Sequence, residues 1–337
     1  MFKFLLKLAI AAMVAMIIGT LVVGGGAWYL LDKKFKEVQA DPNFPDFKSF
    51  EKSPKQVTTV IDCDGEVICE IGKERRTSVP YDKIPKPVRN AFIAIEDKRF
   101  WEHDGADYEG LIGAVINAQL MGKRARGAST LDMQTIKNRF FPNRKQETKA
   151  QQEYRKWIEI VGSEELEKRL LKELGSKQKV KERIVELYLN QISFGHDWFG
   201  IEEASRKIFG KSVSDVNVLE SAALAAMPKN PPYYDPSNAP GRDKKTGKTL
   251  PHNPNWDRRI IDLKAMKDQG LISEDEIKAV FAEYGPRLGK EIPATGNFEQ
   301  DFKTLLTLEP ITVKGTNRLS GTAQNVCDMA KDNLRKK

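Results

Sequence analysis

Leu8 to Leu31 contains no charged side chain, and about 20 apolar residues are enough to carry a helix across the hydrocarbon core of a bilayer. Such a run ties the rest of the chain to one side of a membrane. A cleaved leader would have an apolar stretch of only about 7–15 residues before a small-residue cleavage motif, so the run predicts a retained transmembrane anchor over residues 1–31. Gly24, Gly25 and Gly26 lower helix propensity near its end and blur that boundary. Flanking charge does not set orientation, because Lys3 and Lys7 precede the run while Lys33, Lys34 and Lys36 follow it.

Beyond the anchor the chain is basic. Its 55 Lys and Arg against 47 Asp and Glu leave a net charge of +8, which suits a polyanionic partner: phospholipid head groups, a diphosphate or nucleic acid. Composition does not choose among them. With 337 residues, 40% of them hydrophobic, there is material for one large domain or two ordinary ones. Three cysteines and three histidines, with no C-x-x-C pair, argue against a structural zinc site. Cys63 and Cys69 flank Asp64-Gly65, a dipeptide that favours a two-residue turn between the runs Val57 to Ile61 and Val67 to Ile71. That turn pairs residue 60 with 69 and 63 with 66, leaving the cysteines roughly 10 Å apart along the ladder. A disulfide needs Cα atoms within about 7 Å, so none is expected.

The charged, proline-bearing stretch 32–55 suits a linker. From Ile84 onward the pattern is mostly helical: Val88 to Asp97, Leu111 to Met121, a long charged stretch from Gln146 to Leu174, then Val180 to Leu189, Ile201 to Phe209 and Val216 to Met227. Closely spaced prolines from Pro228 to Pro254 interrupt it, which places the end of a compact body, residues 56–236, near Pro236. An amphipathic segment from Trp256 to Tyr284 falls in an extension, 237–294, and residues 295–337 carry no readable motif.

Within the body, five motifs follow one another: Ile95-Glu-Asp-Lys-Arg-Phe-Trp-Glu-His-Asp-Gly105, Gly127-Ala-Ser-Thr-Leu-Asp-Met-Gln134, Arg155-Lys-Trp-Ile-Glu159, Glu186-Leu-Tyr-Leu-Asn190 and Ala225-Ala-Met-Pro-Lys-Asn-Pro-Pro-Tyr-Tyr-Asp-Pro236. This ordered set resembles the peptidoglycan glycosyltransferase domain, family 51 of the glycosyltransferases, found also in penicillin-binding proteins. The resemblance implies a mainly α, lysozyme-like helical domain with a small β-hairpin, preceded by one transmembrane helix. It also implies a short cytoplasmic amino terminus and an extracytoplasmic, periplasmic body on the inner (plasma) membrane. Its partners would be lipid II, the growing lipid-linked glycan, the membrane and other wall-synthesis proteins, with no nucleic acid.

The implied reaction joins a glycan activated as a lipid-linked diphosphate to the 4-hydroxyl of an incoming lipid II. Glu96 ends an apolar helix face, where partial loss of water would strengthen it as a base, and Asp97 beside it would orient it. His103 reads as a packing or hydrogen-bonding residue. Glu159 is the second catalytic carboxylate, assisting departure or placement of the diphosphate. Arg155 and Lys156 stand near it, with Arg155 and Glu159 on one helical face; on charge pattern alone they could be a surface pair. Lys137, Asn138, Ser129, Thr130 and Gln134 would bind sugar or phosphate oxygens, although Ser-Thr after a glycine could equally be a helix cap. Leu111, Ile112, Val115, Ile116, Leu120 and Met121, with Lys123, Arg124 and Arg126, would meet the bilayer; an ordinary core helix with a basic end reads the same way.

No dedicated metal cage is visible, though a diphosphate could recruit Mg²⁺ or Mn²⁺ through one or two carboxylates. Ser176-Lys-Gln-Lys179 and Lys245-Thr-Gly247 match transpeptidase signatures by accident, since no S-D-N element accompanies them. Three positions depart from the family's usual Gly-Gly-Ser-Thr-x-Thr-Gln-Gln: Ala128, Asp132 and Met133. Asp132 would add negative charge beside a diphosphate site, which keeps a catalytically impaired scaffold open as a reading. A lytic, lysozyme-like hydrolase is the other alternative; it would not need the cations at 137, 155 and 156.

Overall fold

The computed structural model describes residues 29, 31–47, 58–61, 67–71, 77–121, 128–142, 144, 146–196, 198–238, 249, 253–287, 300, 301, 303 and 304. The expected anchor, apart from Tyr29 and Leu31, lies outside the described residues, as do the Asp64-Gly65 turn, Cys63 and Lys123 to Arg126. Among the described residues no helix is long and apolar enough to cross a membrane.

Strands β1 (Thr58–Ile61) and β2 (Val67–Ile71) pair antiparallel, with Val60 opposite Cys69 and a register shift between Val60 and Ile61. The rest of the body is helical. Helix α1 (Lys86–Glu96) starts on Pro87, whose fixed φ suits a first turn, and buries Val88, Ala91 and Phe92. It stops because Asp97 leaves helical geometry at φ −155°. After α2 (Tyr108–Met121), helix α3 (Leu131–Phe140) begins at Thr130, whose side chain accepts from the Met133 amide.

Helix α4 (Lys149–Leu174) opens with a reciprocal capping box between Thr148 and Gln151 and closes on Gly175, left-handed at φ +68°. Only Gly175 and Ser176 separate it from α5 (Lys177–Gln191), so the long stretch between Glu159 and Tyr188 is taken up as helix. Then come α6 (Ile201–Phe209), α7 (Val218–Ala226), α8 (Pro254–Asp268) and α9 (Glu274–Arg287).

A single apolar core runs through these helices. Phe92 of α1 meets Tyr188 and Phe194 edge to face, each ring centroid 6.1 Å away. The Asn190 side chain accepts from the Val79 amide and donates to the Val79 carbonyl, both at 2.8 Å, while Glu186 accepts from the Tyr81 amide. These bonds fasten the approach to α1 onto α5. Helix α8 packs on α7 and α1; Asn255 donates to the carbonyls of Ala223 and Tyr234, and Gln269 donates to Ala94. Residues beyond Pro236 therefore help to hold the helix that ends in Glu96.

The loop from Asp97 to Asp107 lies hard against α4. Gly105 is left-handed at φ +82°, and a Cβ there would stand 2.7 Å from the Glu164 nitrogen and 2.8 Å from the Ser163 carbonyl carbon. Both obstacles are backbone, which cannot rotate away. Gly105→Ala should therefore cost about 3 kcal/mol, combining positive-φ strain with forced displacement; a urea midpoint unchanged from that of the parent chain would refute the close approach.

Candidate active site

Glu96 and Asp97 occupy the last turn and C-cap of α1, and the break between them sends the two carboxylates different ways. Asp97 is buried and accepts from the Leu131 amide at 2.9 Å, so it satisfies a free N–H at the start of α3. His103 Nε2 lies 3.0 Å from the same carboxylate. Glu96 stays half-exposed and accepts from Gln134 Nε2 at 2.9 Å. One helix thus receives both neighbours: its N-terminus caps on Asp97 and its side takes Glu96.

Glu96 and Ser129 line a cleft of about 520 Å³ together with Ala94, Arg99, Asp107, Gly113 and Ala128. Arg99 closes one wall through ion pairs to Asp107 and Glu109. The cleft borders α2, whose Ile112 is 60% exposed; side chains from Val115 to Met121 lie outside the described residues.

Cations gather farther along the same face of α3 and on α4. Lys137, one helical turn beyond Gln134, is partly buried, and loss of water pushes its pKa down to about 8 against the opposing pull of Glu159 and Glu96. It therefore lies within the field of both carboxylates. Asn138, four residues past Gln134, is half-buried on the same side. Lys156 is 46% exposed along its side chain; it donates to Glu159 Oε2 at 2.6 Å and to Ser129 Oγ at 2.9 Å. Arg155 joins Glu159 and, through Nε at 3.0 Å, Glu147.

Two expectations change. Glu159, expected as a second catalytic carboxylate at the diphosphate, is closed to a ligand: its side chain is 1% exposed, with one oxygen taken by Arg155 and the other by Lys156. A buried carboxylate persists only when its charge is matched, and the arrangement matches it with a ring of cations. Thr130, expected to donate to substrate, is 2% exposed and gives its hydroxyl hydrogen to the Gly105 carbonyl at 2.6 Å. It is the cap of α3, with no donor left over. Ser129, Lys137 and Lys156 remain open to a ligand, while Gln134 is engaged by Glu96.

Of the departures from the usual motif, Ala128 lines the cleft and the other two face inward. Met133 is buried, and Asp132 is fully enclosed, two residues from Gln134 and so on roughly the opposite side of the helix. Burial pushes the Asp132 carboxyl well above the ordinary range, helped by Glu167 and Asp97 and opposed by Lys181. Asp97, His103 and Asp132 present ligand atoms within 4.8 Å of one another. The Lys181 ammonium, however, stands 3.7 Å from Asp132 and 3.5 Å from His103 Nδ1. With a fixed cation already among them, this donor set does not fit Mg²⁺ or Mn²⁺.

Sequence reasoning missed a buried acid within the electrostatic reach of Glu96. Asp262 of α8 is fully buried, and neither of its oxygens has a hydrogen-bond donor. Burial pushes its pKa up to about 8, opposed by Arg258 and Lys229 and reinforced by Glu96. Tyr188, also buried, feels Glu96 in the same way. Only the amphipathic pattern of Trp256 to Tyr284, with an acid at an apolar phase, could have signalled Asp262.

Residues 64–253 match the family model described as Transglycosylase. Among curated relatives, penicillin-binding protein 1F of Bacillus subtilis (strain 168) is 37% identical over 64% of this chain and 27% of its own length. Penicillin-binding protein 1A of Aquifex aeolicus (strain VF5) is 34% identical over 69% of this chain and 29% of its own. The chain thus matches under a third of the length of either. A crystal structure of penicillin-binding protein 1A from Haemophilus influenzae superposes with a TM-score of 0.38 at 18% identity, over 85% of this chain and 25% of that one.

Asp262, buried within the electrostatic reach of Glu96, provides a check on this packing. Its carboxyl has a higher pKa folded than unfolded, so its contribution is intact below about pH 4 and is lost as pH rises toward 8. Asp262→Asn removes that loss. Thermal denaturation across pH 4–9 should show the variant gaining on the parent chain up to about pH 8, by about 5 kcal/mol, and no further above it; a pH-independent difference would contradict the burial of this acid.

Proposed function

The chain belongs to the transglycosylase family, and from that premise we propose that it is a peptidoglycan glycosyltransferase that polymerises lipid II into glycan strands. The observation that carries this reading is Glu96: a half-exposed carboxylate on a cleft, aimed by Gln134, with Lys137 charged toward it and Lys156 open beside Ser129. An acid that only capped a solvated helix end would need no such setting.

In the proposed reaction Glu96 takes the proton of the 4-hydroxyl of an incoming lipid II as that oxygen attacks the anomeric carbon of the growing strand. The new carbon–oxygen bond forms on the face opposite the old one, and the lipid diphosphate departs with the electrons of the broken bond. Lys137, Lys156 and Ser129 receive its oxygens, with Arg155 adding long-range positive charge. Glu159 acts from beneath, gathering the cations without touching substrate. A uniformly bound cation would help both ground and transition state; these help most where charge builds on the leaving oxygen.

The anchor over residues 1–31 would hold this body at the outer face of the plasma membrane, where its lipid-linked substrates lie, and Ile112 would enter the acyl boundary. Other wall-synthesis proteins are the natural partners. Asp132, whose charge kept an inactive scaffold open as a reading, is enclosed in the core with Met133 and does not enter the cleft. A hydrolase would have no use for Lys137 and Lys156 together.

Labelled lipid II and the full chain in detergent test this. Polymer should form, and Glu96→Gln should lower kcat by at least 1,000-fold; cleavage of preformed glycan with no polymer formed would overturn synthesis. Lys137 supplies the pH signature: as its ammonium loses a proton near pH 8, kcat/KM should fall on the alkaline side, because that ratio reports the free enzyme. Lys137→Arg should move this limb upward, and a limb that stays in place would remove Lys137 from diphosphate binding.

A further inference from the structure

Behind the α1–α3 junction lies a closed set of polar groups that the proposed reaction does not use. Asp132 has neither oxygen bonded to a protein donor, yet the Glu167 carboxylate of α4 stands within hydrogen-bonding reach. Burial and the neighbouring Glu167 carboxylate both favour the protonated form of Asp132, whose hydrogen then has Glu167 as its acceptor. The Lys181 ammonium of α5 donates to Glu167 at 2.6 Å, lies 3.7 Å from Asp132 and sits over the Phe100 ring, 4.5 Å from its centroid. Its fourth neighbour is His103 Nδ1 at 3.5 Å.

The imidazole passes this arrangement on. Nδ1 faces an ammonium, which can only donate, so Nε2 carries the hydrogen and donates to Asp97. Asp97 caps α3 and is the immediate neighbour of Glu96. The groups facing Asp132 are therefore Asp97 from the end of α1, His103 from the following loop, Glu167 from α4 and Lys181 from α5.

We propose that Asp132, standing where the family usually has threonine, is a positioning residue: with Glu167 it fixes the Lys181 ammonium against His103, and through His103 and Asp97 it sets the aim of Glu96. This deepens the glycosyltransferase reading and rests on it for its kinetic consequence. Threonine can offer a hydroxyl to Glu167 but leaves no second oxygen 3.7 Å from the Lys181 ammonium; the protonated acid supplies both, and so does asparagine, whose NH₂ takes the place of the acid's proton and whose carbonyl oxygen faces the ammonium.

Asp132→Asn and Asp132→Ala, each in the full chain, separate this role from simple packing. Asn should keep kcat within about threefold. Ala should lower kcat at least tenfold with KM within about twofold, since Glu96 is misdirected while Lys137 and Lys156 are untouched. As pH rises and Asp132 loses its proton, kcat should fall in the parent chain, and Asn should abolish that fall. Equal kcat in Ala and parent, or losses in kcat and KM together, would overturn the proposal.

Imidazole ¹⁵N resonances give a readout that does not depend on catalysis, with three histidines in the chain to resolve. His103 should show the Nε2–H tautomer in the parent and Asn variant and a mixed or altered pattern in the Ala variant. An unchanged His103 pattern in Ala would refute the relay even if lipid II proved not to be the substrate; a parent chain that forms no polymer while the pattern shifts as expected would instead fault the functional reading.

Discussion

The carboxylate of Asp97 is the joint on which the site turns. It ends α1, supplies the first amide of α3 with an acceptor and takes a hydrogen bond from His103. Helix ends leave backbone groups without partners, and enclosing one is tolerable only if another element satisfies it. Here the element that does so adjoins the proposed base. The relation of Glu96 to Gln134 therefore follows from how two helices end and begin, and is independent of any contact with substrate.

Glu159 imposes a second constraint from below. Enclosed and negatively charged, it requires cations, and Arg155 and Lys156 meet it from the same helix, one turn away. Lys156 continues outward to Ser129 at the cleft. Lys137 then lies among positive neighbours in a partly dry setting, which loosens its proton. The buried acid thus concentrates charge at the mouth of the site while remaining out of reach of a ligand.

Much of this was legible in sequence. The helical period located α1 and α6 almost residue for residue, because their apolar faces pack on the core without interruption. The ordered motifs pointed to Glu96, Gln134, Lys137 and Lys156, which the fold brings into one region. What could not be read were pairings that depend on distant backbone: the donor of Thr130 is spent on a carbonyl 25 positions away, and Lys181 reaches back 78 positions to His103. Asp132 was misjudged for the same reason. Its charge is a liability only if it faces the cleft, and the phase that turns it into the core is set by α4 and α5. Burial of Glu159 was likewise hidden, since Arg and Glu four residues apart look the same on an exposed helix.

Substitution of Asp97 by asparagine tests the joint itself, because it leaves Glu96, Gln134 and every cation in place. The rate of polymer formation from labelled lipid II should then fall by at least 100-fold in kcat with KM within about twofold. Turnover equal to that of the parent chain would show that Glu96 is aimed by something other than the meeting of α1 and α3.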